Sequence, residues 1–178
     1  MRRFLVSVWL PFLLAPPATA TEAVDAVWNE HEVDFRFLGL ETAYTCDAME
    51  SKITMLLRHV GGNDIQVKVP TCGGFMFPQR NHRILATFST LCTAGEGDGD
   101  IVKATWSEVE LGRGRPRSID DQDCELLEHF QKHLLVTIEH EVIDGTVACG
   151  ASRRSIAGRL KLKVLKTVPA DDATKNDD

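Results

Sequence analysis

The chain has no catalytic signature, no cofactor fingerprint and no metal-ligand box. No serine sits in a nucleophile elbow. The acidic stretch TAGEGDGD at 93–100 fails the calcium-loop pattern, because positions six and twelve counted from Glu96 are Ile101 and Ser107 instead of glycine and an acid. It reads as a solvated connection. Past the first twenty residues there is no apolar run of the roughly 20 residues that a membrane-spanning helix needs. An excess of basic charge is also missing: Lys and Arg total 20 against 26 Asp and Glu, a formal net charge of −6. That balance excludes a general nucleic-acid binder, whose phosphate contacts require net basicity or a strong local patch.

What is present begins with a leader. Arg2 and Arg3 precede an apolar run from Phe4 to Leu14, and Ala18-Thr19-Ala20 supplies small residues at a cleavage site. Residues 1–20 are therefore expected to be a signal peptide on the ordinary secretory route, with Thr21 the new N-terminus and a periplasmic or secreted product. No cysteine sits at the cleavage site to take a lipid. Two arginines and no acids leave with the leader, which moves the formal charge from −6 to −8. Residues 21–168 suit a single domain. The tail PADDATKNDD at 169–178 has almost nothing to bury and is expected to be disordered. Residues 21–29 are expected to be loosely tied, with Trp28 docking.

The segment YTCDAMESKITMLLRHVGG at 44–62 organises the rest. Cys46, Met49, Ile53, Leu56, Leu57 and Val60 recur at three- and four-residue spacing, which predicts a core-facing helix ended by Gly61-Gly62. Val33, Phe35 and Phe37 alternate with polar residues before it, and Ile65, Val67 and Val69 after it, so strands flank the helix. A third strand carries Ile84, Ala86 and Phe88. The order then repeats: a strand with Val102, Ala104 and Trp106, a helix at about 123–135 burying Leu126, Leu127, Phe130 and Leu134, a strand with Val136, Ile138 and Val142, and a last strand with Leu160, Leu162 and Val164. The prediction is an α+β two-layer sandwich, a mainly antiparallel sheet with two helices on one face, built from a duplicated β-α-β-β unit. The opposite face is expected to be polar or mixed.

Cysteines reinforce the doubling. Cys46 is followed 26 positions later by Cys72, and Cys124 is followed 25 positions later by Cys149, each pair in the same helix–strand–loop context. A helix of about 15 residues at 1.5 Å each nearly matches a strand of about seven residues at 3.3 Å each, so helix start and strand end meet at one edge. Bridges Cys46–Cys72 and Cys124–Cys149 follow, each worth about 3.5 kcal/mol by loop-closure entropy. Cys92 is left as a semi-buried thiol. Tyr44-Thr45-Cys46-Asp47 and Asp123-Cys124-Glu125-Leu126, opening the two helices behind the leader, resemble a group of small exported proteins of Gram-negative bacteria with no assigned function. The resemblance supports the compartment and the cysteine pairing and implies no activity.

Two constellations are candidates for chemistry. Arg113, Arg115 and Arg117 in GRGRPR, with Arg153 and Arg154 after Cys149, are expected to gather at the sheet end where the helices begin. Helix N-termini there add positive potential, so this edge suits an anionic envelope component. His129 and His133, one turn apart, with His140 on the following strand, are the alternative: a small metal-dependent enzyme. The favoured expectation is an exported binding or interaction domain with no catalytic residue, cofactor or metal. Residues 73–78, GGFMFP, are expected to fold over the core.

Overall fold

Thr45 starts the first helix because its hydroxyl accepts the Ala48 N–H, one of the donors that has no partner inside a helix. The structure is a computed structural model and describes residues 22–70, 77–94, 100–151, 153 and 155–168. Helix α1 (Cys46–His59) buries Met49, Ile53, Leu56 and Leu57, the predicted stripe. It ends in a complete Schellman turn: Gly61 N–H donates to Arg58 O at 3.2 Å and Gly62 N–H to Leu57 O at 2.8 Å. Gly61 is obligatory there. Its φ is +91°, and a Cβ would stand 2.9 Å from the backbone oxygen of Leu165.

The strands are β1 (Val24–Leu38), β2 (Asn63–Lys68), β3 (Asn81–Thr93), β4 (Val102–Gly112), β5 (His140–Gly145), β6 (Ala148–Cys149), β7 (Ile156–Ala157) and β8 (Arg159–Thr167); helix α2 (Cys124–His133) follows β4. Six strands form one antiparallel sheet in the order β2-β3-β1-β4-β8-β5, and β6 pairs with β7 in a separate ribbon. The order is that of a doubled unit. In each half the strand before the helix is central, the strand after the helix is at the edge, and the last strand lies between them. The central strands β1 and β4 are antiparallel neighbours over only three pairs, Val24–Ala26 against Ala104–Val102.

With so short a seam, the helices and loops must hold the halves together. Imidazoles of α2 pack on β1: His129 lies 5.0 Å from Phe37 and His133 5.0 Å from Phe35, ring centre to ring centre. At the other helix, His59 Nε2–H donates to Glu110 O of β4 at 3.0 Å. One core results, in which Phe35, Phe37, Ile84 and Phe88 of one half meet Leu111, Leu126, Phe130 and Leu162 of the other.

Several expectations need correction. The segment before residue 30 is not loose: β1 begins at Val24, and Trp28 pairs with Leu91 across the ladder. The sheet face away from the main core is mixed, as expected, but its apolar part is more organised than alternation alone predicts. Ala26, Leu91, Ala104 and Leu165, flanked by Val24, Trp28, Val102 and Trp106, form a second apolar cluster around the seam. Alternation decides which β4 residues join it. Val109 and Leu111 of β4 face the main core, so Val102, Ala104 and Trp106, of opposite parity, face away from it. No strand starts at Val136. The chain leaves α2 through a 3₁₀ turn at Leu135–Thr137, closed by Thr137 Oγ1 donating to Leu134 O at 2.8 Å, and Val136 is 67% exposed. The tail at 169–178, the leader and most of the 73–78 loop lie outside the described residues; Phe77, which is described, is exposed.

The packing of α1 on β8 through Gly61 has a measurable cost. Gly61→Ala is expected to lose the roughly 1–2 kcal/mol of left-handed strain plus the clash with Leu165 O. Gly114→Ala, at φ +69° with nothing within 4 Å of the added carbon, should lose only the strain. Urea unfolding of both variants checks this, and equal losses would contradict the close approach.

Candidate functional site

The two helix starts face each other, and a dense polar network fills the space between them. Tyr44 and Gln122 each stand two residues before a helix cysteine, and the Tyr44 hydroxyl reaches Gln122 O at 3.4 Å. That hydroxyl donates more closely to Asp123 Oδ1, at 2.8 Å. Lys52 Nζ of α1 lies 2.6 Å from Asp123 Oδ2, which also accepts the Asp120 N–H at 2.9 Å. Asp120 caps the turn by accepting the Gln122 N–H at 2.8 Å. Burial, then the Asp123 carboxylate, raise the Tyr44 phenol well above its ordinary value, so Tyr44 stays neutral and serves as a donor.

Glu125 is the centre of the arrangement. Its carboxylate is 1% exposed and accepts N–H bonds from Leu40 at 3.2 Å and from Glu41 and Thr42 at 3.1 Å, along with Arg153 Nε–H at 3.0 Å. Burial works to raise the carboxyl pKa. The Thr42 and Glu41 N–H groups, Arg153 and the Leu40 N–H outweigh it and hold the group below the usual carboxylate range. Arg153 reaches across to Glu128 with its second arm at 3.0 Å, and Glu128 Oε1 accepts the Cys149 N–H at 2.9 Å. In the first half Glu50, also four residues past the helix cysteine, accepts the Val69 N–H at 2.9 Å. The shared Cys-x-x-x-Glu spacing was a signal for this role.

Of the five arginines, Arg113 and Arg153 stand beside the start of α2, each against a carboxylate. Arg113 Nε is 3.3 Å from Asp121 and Arg115 Nε is 3.9 Å from Glu110, which also faces Arg159 at 3.2 Å. Arg117 is exposed and forms no ion pair among the described residues. Arg153 is committed to Glu125 and Glu128. Arg154 lies outside the described residues. Acids therefore already occupy the α2 N-terminus, where an incoming anion was expected to bind.

The three histidines do not converge. His129 and His133 stack on each other at 5.7 Å, His133 stacks on Phe35 and His129 meets Phe37 at a tilt, while His140 Nδ1–H donates to Ile138 O at 2.8 Å. Burial, followed by the positive neighbours His133 and Lys132, lowers the His129 pKa, and burial with Lys132 lowers that of His133. Both are packing residues. Among the described residues the one group of metal-ligand type is Cys124, Glu128 and Cys149, and its two sulfurs are joined as a disulfide at 2.04 Å. Cys46 is also disulfide-bonded; Cys72, its expected partner, lies outside the described residues. Cys92 is buried in no disulfide and directs its thiol to Val27 O at 3.7 Å. No helix among the described residues is long and apolar enough to cross a membrane.

Comparison with models of protein families, with curated proteins and with solved structures finds no match in any of the three.

Glu125→Gln is expected to cost about 3 kcal/mol at neutral pH, because an amide cannot accept from four donors. The folded-state pKa of Glu125 is depressed, so its contribution is complete above the unfolded value and is lost as pH falls through the folded one. Urea unfolding at pH 7 and pH 3 should show the gap between wild type and variant shrinking in acid.

Proposed function

We propose that this chain is an exported, non-catalytic binding domain that works in the periplasm or outside the cell and recognises an anionic envelope component. The leader, the Cys124–Cys149 bridge and the resemblance of the two helix starts to exported Gram-negative proteins support the compartment. The observation that carries the binding reading is the engagement of Asp123 and Glu125. These buried carboxylates are saturated by Tyr44, Lys52, Arg153 and loop N–H groups, so they act as fasteners of a rigid platform and recognition is left to the surface.

Arg113, Arg115 and Arg117 are the part of the basic edge that faces solvent. Exposed ion pairs such as Arg113–Asp121 are worth about 0–1 kcal/mol, so an arriving carboxylate or phosphate can exchange for the protein's own acids. Arg153 instead supports the platform from below.

Retention on an immobilised carboxylated glycan, compared with a neutral one at low and high salt, tests the reading. The wild type should bind the anionic glycan at low salt and release it as salt screens the contact. A triple variant with Arg113→Glu, Arg115→Glu and Arg117→Glu should lose retention. Equal retention of wild type and variant, or indifference to salt, would overturn the anionic edge.

A further inference from the structure

A second, structurally separate place for an anion opens at the other end of α1. There a cleft of about 340 Å³ is walled by Trp28 of β1, the end of α1 with Arg58 and Gly61, Asn63 of β2, and Lys166 and Thr167 of β8. The Schellman turn builds it. With Gly61 pressed to the Leu165 carbonyl, the α1 terminus sits directly beside Lys166, whose Cγ is 3.8 Å from the position of a Gly61 Cβ. The same turn uses the carbonyls of Leu56, Leu57 and Arg58 to accept from Val60, Gly62 and Gly61. The helix end therefore presents few unpaired oxygens to repel an anion.

The cleft also differs from the arginine loop in its charge. Arg113, Arg115, Arg153 and Arg159 each face a carboxylate, whereas among the described residues Arg58 and Lys166 form no ion pair and no carboxylate lines the cleft, the nearest in the chain being Asp64, which accepts from the Asn63 amide at 3.1 Å. Two cations without a counter-charge, in a concavity of a chain with net charge −6, focus positive potential there. Burial lowers the pKa of His59, next to Arg58; its bond to Glu110 O opposes that, and the positive charges of Lys166 and Arg115 lower it further. Trp28 is only partly buried and contributes an indole surface, which stacks on flat or ring-shaped apolar bodies. The volume is at the small end of ligand sites, suited to one ring and its substituents.

We infer that this cleft binds a small ring-bearing organic anion, its carboxylate or phosphate held between Arg58 and Lys166 and its ring laid against Trp28. Thr167 supplies a hydroxyl for polar substituents of the ring, and Asn63 its amide oxygen and the N–H that does not donate to Asp64. The inference rests on the binding-domain reading and uses no residue of the Arg113–Arg117 surface.

The experiment uses the purified, oxidised exported protein with Trp106→Phe, so that Trp28 is the fluorescent reporter, titrated with glucuronate, glucose, phenyl phosphate and inorganic phosphate. Glucuronate or phenyl phosphate should quench saturably, at least tenfold more tightly than glucose or inorganic phosphate. A preference for glucuronate assigns an acidic sugar, and a preference for phenyl phosphate an aromatic anion. Arg58→Gln with Lys166→Gln should weaken the preferred probe at least tenfold while leaving the unfolding midpoint in urea near that of the parent. Reversal to Glu at the same positions should abolish binding. A variant with Arg113→Gln and Arg117→Gln should bind the probe unchanged. Failure of both ring-bearing anions to saturate, or unchanged binding in the Gln double variant, overturns the cleft. If glycan retention survives that result, the binding-domain reading stands without it; if retention is absent as well, both fall.

Discussion

A carboxylate buried between the two halves of this chain is the constraint on which the rest of the architecture depends. Removing an ionised Glu125 from water costs several kcal/mol, and that cost is offset only if its lone pairs are filled. They are filled by three consecutive N–H groups of the loop after β1 and by a guanidinium from beyond β6. The loop cannot move without uncovering the charge. Asp123 repeats the device two residues earlier with Tyr44 and Lys52, both from the first half. These bonds give the short β1–β4 seam its reinforcement and hold the two helix starts face to face.

The doubling is broken where fastening requires it. Each helix opens with a cysteine and carries a glutamate four residues on that accepts a backbone N–H from the segment after the next strand. The residue after the cysteine differs: Asp47 is exposed in α1, and Glu125 is buried in α2 and reaches the other half. One extra methylene allows that reach. The helix ends differ as well. α1 stops in a double-glycine turn against β8, while α2 unwinds through a 3₁₀ turn that leaves Val136 in solvent.

Local periodicity made much of the fold legible. Val33, Phe35 and Phe37, the α1 stripe and the Leu126–Phe130 face are read correctly because each repeat is set by neighbours a few residues away. The Val24 start of β1 is a different matter, since pairing of Ala26 with Thr93 and Val102 makes that strand. Val136 and Ile138 carry strand-like residues but obey the turn that follows α2. The fastening role of Glu125 rests on partners 85 and 28 residues away, and no spacing rule announces such contacts. Topology brings the loop of Arg113 to Asp121 before α2. The carboxylate partners of Arg113 and Arg115 came from Asp121 and Glu110, so a basic sequence cluster became a mixed-charge surface. Arg58 and Lys166, 108 positions apart, have no local signature at all.

Amide hydrogen exchange of Leu40, Glu41 and Thr42 at neutral pH tests the central claim most directly. These residues lie in a loop, between β1 and α1, where solvated amides exchange quickly. If their N–H groups are bonded to the buried Glu125 carboxylate, they should exchange as slowly as the core amides of β1 and β3, through global unfolding. Exchange at the rate of an open loop would contradict the claim that this carboxylate fastens the two halves.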